Sequence, residues 1–334
     1  MLSRVAESVH WMARYVERAE DMTRVLAVQC LALLDAPRGF PERSFEGLLR
    51  YLGEREAFDA IFPQPDAASV TEFFVSHPGN PSSVVSSIQR ARENARAARE
   101  QISSEMWEHL NRLYFDVKDV GPDAFARGPY DFYRRIRDGS QAFQGVTDAT
   151  LTQGEAFWFI EMGKLLERAS QVLRTLAVRY EAKDAPADGT PEGTLELITV
   201  LKACSAFEPF RQSQAQLTSA AVVEFLLQHR RLPRAVLFCV TGAAAALDRI
   251  TELAAAGALR PDRPRQLLGR LCADLEYLEA HETLAAGIAP FLDATLRRVH
   301  AVADEVARTY FSTRVVTALG QGLQAGPQEQ QQQQ

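Results

Sequence analysis

Two Glu-Arg dipeptides stand in matching surroundings, Glu17-Arg18 within "RYVERAEDMTRVLAV" and Glu167-Arg168 within "GKLLERASQVLRTLAV". A carboxylate and a guanidinium held together suit two kinds of chemistry. Lining a hollow, the guanidinium binds a phosphate, carboxylate or peptide group through parallel N–H donors. Buried between helices, each charge needs an opposite partner, because an unpaired buried guanidinium costs several kcal/mol. Neighbouring residues on a helix point about 100° apart, so Glu17 and Arg18 do not pair as residues four apart would. Glu17 shares a polar stripe with His10, Arg14, Asp21 and Arg24, where Arg14 and the neighbours of Asp21 are within reach. Arg18 lies among Trp11, Tyr15, Met22 and Val25, so its stem is buried and its partner comes from another helix. The repeat suggests a crossed arrangement, Arg18 with Glu167 and Arg168 with Glu17. Three readings stay open: interhelical bridges that fix register, a binding cluster of Arg14, Glu17, Arg18, Glu167 and Arg168, or ordinary surface charge.

A second basic feature is "QRARENARAARE", with Arg90, Arg92, Arg96 and Arg99 interleaved with Glu93 and Glu100. A basic helix can bind nucleic acid, but the interleaved acids and the lack of local aromatics favour a solvated or salt-bridged face. The di-iron bundle pattern requires Glu three residues before His. Glu105, Glu108 and His109, like Glu276, Glu279, His281 and Glu282, miss that spacing. No HExxH, phosphate-binding loop, dinucleotide fingerprint or nucleophile elbow is present. Neither a metal nor a cofactor is therefore expected. Cys30, Cys204, Cys239 and Cys272 are widely separated and read as small core residues.

The elements that must position these residues are helices. In the first segment Leu2, Val5, Val9, Met12, Val16, Ala19, Leu26, Cys30 and Leu33 recur at three-four spacing, with only Thr23 polar in the series. With the Trp11–Val25 stripe also apolar, this helix has two greasy flanks out of three and belongs inside a bundle. The stretch from Asn80 runs to Gly121 without glycine or proline after Pro81, with Asn80 as the expected N-cap. Thr152 and Glu155 have capping-box spacing. Alternating strand patterns are nearly absent. Proline and glycine gather in "LDAPRGFPE", "FPQPD", "DVGPDAFARGPYD", "KDAPADGTPEG" and "RPDRPR", which read as loops. The end, 317–334, is glutamine-rich and expected to be disordered.

With net charge −6 and pI about 5.7, the chain as a whole has no electrostatic bias toward nucleic acid. No apolar run reaches the ~18 residues of a membrane helix, and the N-terminus lacks a secretory pattern. A cytoplasmic location is expected, with no nucleic acid and no membrane among its partners.

The dipeptides belong to a longer repeat. Shifted by 150, Met12–Val28 matches Met162–Val178 at 8 of 17 positions. Shifted by 152, Val70–Val84 meets Val222–Val236 with Val70, Glu72, Phe73, His77, Pro81 and Val84 identical. Two blocks in the same order at nearly one offset point to tandem duplication. The expected fold is all-α, a multi-helix bundle of two similar halves, 1–150 and 151–316, related by a pseudo-two-fold axis and packed as one domain. His77 and His229, which recur in the repeat, read as loop-packing residues.

"MLSRVAESVHWMARYVERAE", "NPSSVVSSIQRARENARAAREQISSEMWEHLNRLY" and "EMGKLLERASQVLRTLAVRY" together resemble the Alpha-E family, and "SAFEPFRQ" and "VEFLLQHRRLPRAVLFCV" extend the likeness to about Phe311. The resemblance implies a helical domain with a recurrent Glu-Arg motif, carried here by Glu17-Arg18 and Glu167-Arg168. Ser170 stands where an acid often follows the second motif. It also implies a partner: such proteins are encoded beside, or fused to, a circularly permuted ATP-grasp protein, often near a transglutaminase-like protease. ATP-grasp enzymes join a carboxylate to an amine through an acyl phosphate. The expectation is a non-catalytic helical partner of an ATP-grasp amide or peptide-bond ligase, docking the ligase or its peptide substrate. The alternative is an enzyme of the same pathway that uses the Glu/Arg cluster and the Arg90–Arg99 helix as a pocket for an anionic or peptide substrate.

Overall fold

The computed structural model describes residues 1–34, 45–50, 55–121, 129–181, 186–254 and 263–311, and all regular structure among them is helical. In chain order the elements are α1 (Ser3–Leu34), α2 (45–50), α3 (Arg55–Asp59), α4 (Ala67–Val75), α5 (Val84–Ala97), α6 (Ser104–Val117) and α7 (Tyr130–Thr150). They continue as α8 (Glu155–Glu181), α9 (Pro191–Ala203), α10 (Phe207–Gln212), α11 (Ser219–Gln228), α12 (Val236–Leu253), α13 (Arg263–Glu276), α14 (Ala280–Ala285) and α15 (Ala289–Val306). A π-turn, Ala307–Phe311, follows. The 317–334 tail and parts of four expected loops lie outside the described residues.

α1 and α8 pack directly on each other and form the axis. They run parallel, since the facing pairs advance together from His10 and Gly163 to Glu17 and Arg168. Around α1 pack α5 and α7, with α6 against both; around α8 pack α12 and α15, with α13 against both. One hydrophobic cluster joins Val9, Met12 and Val16 of α1 to residues of α8, α9, α11, α12, α13 and α15, so no core boundary falls near residue 150. A second cluster packs Ala19, Met22 and Leu26 of α1 against Phe58, Phe73, Phe74, Ile88 and Tyr133.

Gly163 sets the closeness of the axis. A Cβ there would lie 2.5 Å from the His10 carbonyl oxygen, so only a residue without a side chain lets the two backbones approach this far.

α1 departs from the two-flank expectation. Its polar stripe is as buried as its apolar ones: His10, Arg14, Glu17, Asp21 and Arg24 are all inside. Charge normally marks solvent; here partners on other elements replace the water.

Three helix-end expectations also shift. α5 starts at Val84 with Ser83 as its cap, whose Oγ accepts from the Ser86 N–H at 3.2 Å. Asn80 is used up in the preceding turn, donating to the Phe73 carbonyl (3.1 Å) and accepting from the Ser82 N–H (2.9 Å). The stretch from Asn80 is not one helix either. α5 stops at Ala97, a 3-10 turn spans Arg99–Gln101, and Ser103 caps α6 by accepting from the Met106 N–H at 3.1 Å. A serine that offers the backbone a local acceptor is favoured at the start of a helix. α8 begins at Glu155, so that residue is first in its helix rather than third as a Thr152 capping box requires.

Several elements recur at the offset of the sequence repeat. α3 and α10, α4 and α11, and α5 and α12 each begin 152 residues apart. His77 and His229 each fold a turn in the same way, Nδ1 accepting from the N–H two residues on, at 3.1 and 3.2 Å. Their rings lie against Phe73 and Phe225.

Candidate functional site

The Glu-Arg residues meet along the α1–α8 seam. Arg168 grips Glu17 with two donors, Nε to Oε1 at 2.7 Å and Nη2 to Oε2 at 2.9 Å. Arg18 grips Glu167 likewise, Nε to Oε1 at 2.7 Å and Nη2 to Oε2 at 3.1 Å. Arg14 does not turn to Glu17 on its own helix; its Nε donates to Glu167 Oε2 at 2.9 Å. Gln171 and Gln144 complete the two acids, donating to Glu167 Oε1 (3.0 Å) and Glu17 Oε2 (2.8 Å). The parallel register makes this possible, because residues about 150 apart arrive at the same level.

The cluster extends further than the two dipeptides. Arg234, in the turn before α12, reaches into α1 and pairs with Glu20 (3.0 Å), Glu17 (3.2 Å) and Asp21. Arg24 bridges Glu20 and Asp21 one turn along α1. Five guanidiniums, of Arg14, Arg18, Arg24, Arg168 and Arg234, thus interleave with four carboxylates, of Glu17, Glu20, Asp21 and Glu167. Glu17 is fully buried, and even the most open of these side chains, Arg18, is only 17% exposed.

Burial alone would raise the Glu17 carboxyl; the Arg168 and Arg234 charges outweigh it and hold it at about 2. Burial opposes ionisation of Glu167 too, and Arg18 and Arg14 pull it well below the usual carboxylate range. Asp21 behaves differently. Burial pushes it up to about 6, the neighbouring Glu17 and Glu20 charges add to the rise, and Arg234 and Arg24 offset only part of it. Its Oδ2 has no hydrogen-bond partner among the described residues. His10, beside the seam, is pushed down to about 3 by burial and by Arg14. Glu17 and Glu167 are therefore unsuited to general-base work near neutrality, and their arginines are already engaged.

Sequence reading found the dipeptides and Arg14 but not Glu20, Asp21, Arg24, Gln144 or Arg234 as members. A position-by-position reading of the repeat holds the signal. Glu20 and Asp21 face Ser170 and Gln171 at the 150 offset, and Arg234 faces Ser82 at the 152 offset. The extra acids stand only in the first block and the extra arginine only in the second, and each supplies the other's partner.

The basic helix presents the solvated face expected of it, with Arg90, Arg96 and Arg99 exposed, and adds ring contacts to it. Arg92 donates to Asn111 Oδ1 at 2.8 Å, and its guanidinium lies over Tyr114 (4.5 Å) and Trp107 (5.5 Å). Arg99 also covers Trp107, and Arg90 covers Tyr15, whose ring Arg18 shares. The aromatics missing from the local sequence come from α6 and α1. Among the described residues no His, Cys, Asp and Glu side chains group as a metal site, and no helix is long and apolar enough to cross a membrane.

The fold and seam define an all-helical bundle built around a buried arginine–carboxylate network. A family model named Alpha-E, described as a predicted alpha-helical domain with a conserved ER motif, matches residues 1–311, and the chain belongs to that family. It is similar to an uncharacterized protein of Mycobacterium bovis and to two of Mycobacterium tuberculosis, at 24% identity over 344 residues. Each match covers 96% of this chain and 38% of the relative, so the chain spans well under half the length of these proteins. No solved structure matches it.

Proposed function

We propose that the chain is a non-catalytic helical partner of a circularly permuted ATP-grasp amide or peptide-bond ligase, docking the ligase or its peptide substrate in the cytoplasm. The observation that carries this reading is the mutual saturation of the Glu-Arg residues. Glu17 and Glu167 are held ionised by arginines inside the bundle, where they serve architecture rather than proton transfer. The greater length of the curated relatives supports it as well, since more than half of each lies beyond the matched part and has room for a second unit. We also read the bundle as two tandem halves, 1–150 and 151–316, about a pseudo-two-fold axis along α1 and α8. The recurring helix starts, the twin histidine turns and the crossed bridges support that reading, because a two-fold operator makes contacts reciprocal.

The test is co-purification with the neighbouring ATP-grasp protein, followed by ATP turnover with and without this chain. Stable co-purification and a change in turnover are expected. Turnover of a metabolite by this chain alone, or no association at micromolar concentrations, would overturn the partner reading.

A further inference from the structure

A cleft of about 370 Å³ opens where α7 and the end of α9 flank the later turns of α1. Its inner end is Arg24, 4% exposed, whose Nη groups hold Glu20 and Asp21 while its Nε has no hydrogen-bond partner among the described residues. At the mouth stands Lys202, exposed, with its ammonium over the Phe207 ring at 5.5 Å and no carboxylate partner among the described residues. Ser205 and Tyr130 add hydroxyls to the rim. Ser205 holds φ at +49°, a left-handed conformation that a residue with a side chain adopts only at a cost. The wall is apolar, made by Ala27, Val28 and Leu31. Leu31 and Tyr130, each 46% exposed, are two of the large hydrophobic side chains left open to solvent, and both line this cleft.

We propose that this cleft binds a carboxylate at the end of a peptide carrying an apolar side chain. The charge count selects a monoanion. Arg137 is engaged by Asp138 and Arg24 by two acids, which leaves the Lys202 ammonium as the uncommitted charge. One ammonium with a rim hydroxyl matches a carboxylate; a phosphate dianion would need a second free cation. Gln141 selects a peptide end over a bare acid. Its Nε2 donates to Glu20 at 3.2 Å, which leaves its side-chain carbonyl to accept the amide N–H adjoining a terminal carboxylate. The leucine-sized side chain of such a peptide meets Val28 and Leu31. The carboxylate chemistry stands on the cleft alone, whereas the assignment to a ligase's peptide substrate rests on the partner reading above.

Calorimetric titration of the full chain with acetyl-leucyl-leucine as free acid and as C-terminal amide tests this. The acid is expected to bind at least tenfold more tightly than the amide. Lys202→Gln, a surface change, should weaken the acid at least tenfold with an unchanged melting temperature. Leu31→Asp should weaken both forms. Equal binding of acid and amide, indifference to Lys202→Gln, no binding at millimolar peptide, or tighter binding of inorganic phosphate would overturn the proposal. 4-Methylpentanoate, which keeps the isobutyl group and the carboxylate but has no amide N–H, is the second probe. If it binds as tightly as the dipeptide, the peptide source is overturned while the carboxylate site stands. Failure of these titrations with the ATP-grasp protein still co-purifying sinks this assignment alone. Intact titrations without co-purification sink the partner reading alone.

Discussion

Glu17 and Arg168 form a buried pair whose two donors meet both carboxylate oxygens. Removing one member of such a pair leaves the other charge buried and alone, a loss of ~3–5 kcal/mol. Arg168→Met should therefore destabilise the fold by about that much, while the double change Arg168→Met with Glu17→Leu should recover a large part of it. Urea unfolding of the four proteins in the cycle measures the coupling, and additive losses would show that the bridge is not a pair. His10 and Asp21 give a pH signature of opposite slopes. His10 titrates at about 3 in the fold against an ordinary 6.5, so its contribution is complete above pH 6.5 and lost as pH falls toward 3. Asp21 titrates at about 6 against 3.8, so the cost of ionising it is absent below pH 3.8 and complete above pH 6. Between these values the two partly cancel. In Asp21→Asn the compensating slope disappears, and stability should fall more steeply on acidification from pH 6 to 4 than in the parent, by up to ~1.4 kcal/mol per pH unit. Parallel stability curves for the two proteins would refute the raised carboxyl.

Among the helices, the spacing of α1 from α8 depends on a missing side chain. Gly163→Ala would place Cβ 2.5 Å from the His10 backbone oxygen, and backbone cannot swing aside as a flexible side chain can. The helices must separate, loosening the seam bridges, and a loss of roughly 2–4 kcal/mol is expected, in the range of other overpacked or disrupted cores. Gly145, inside α7, is the control. No heavy atom lies within 4 Å of a Cβ built there, so Gly145→Ala should stabilise by about 0.5–1 kcal/mol through helix propensity. Thermal melts of both variants decide the matter; equal effects would mean that α1 and α8 do not constrain each other. The helix ends show where local pattern falls short. Ser83 and Ser103, not the absence of proline and glycine, set the limits of α5 and α6. A serine acts as a cap only when packing places it at an end.

For the molecule as a whole, the main hydrophobic cluster and the charged seam both join residues before and after position 150. The chain should unfold in a single calorimetric transition, and 1–150 expressed alone should fail to give a cooperative melt. Alone, that segment would leave Arg14, Glu17 and Arg18 without the partners that neutralise them. Two separate transitions, or an independently folding first half, would contradict a shared core.

The sequence by itself determined the helical class, the central place of α1, the family and the crossed partners of Glu17, Arg18, Glu167 and Arg168. The helical class, the place of α1 and the crossed partners follow from a 3.6-residue period and from a repeat that aligns equivalent positions, and the family from motifs that resemble Alpha-E, all of them written along the chain. Tertiary structure alone decided that the polar stripe of α1 is interior and that Arg234 joins Glu17, Glu20 and Asp21. It alone placed Arg92 and Arg99 on the rings of α6 and opened a cleft between α1, α7 and α9. Each of these joins segments that are distant in sequence or lie on different helices. A buried charge is set by which of them packing brings within hydrogen-bond reach, and local periodicity does not encode that distance.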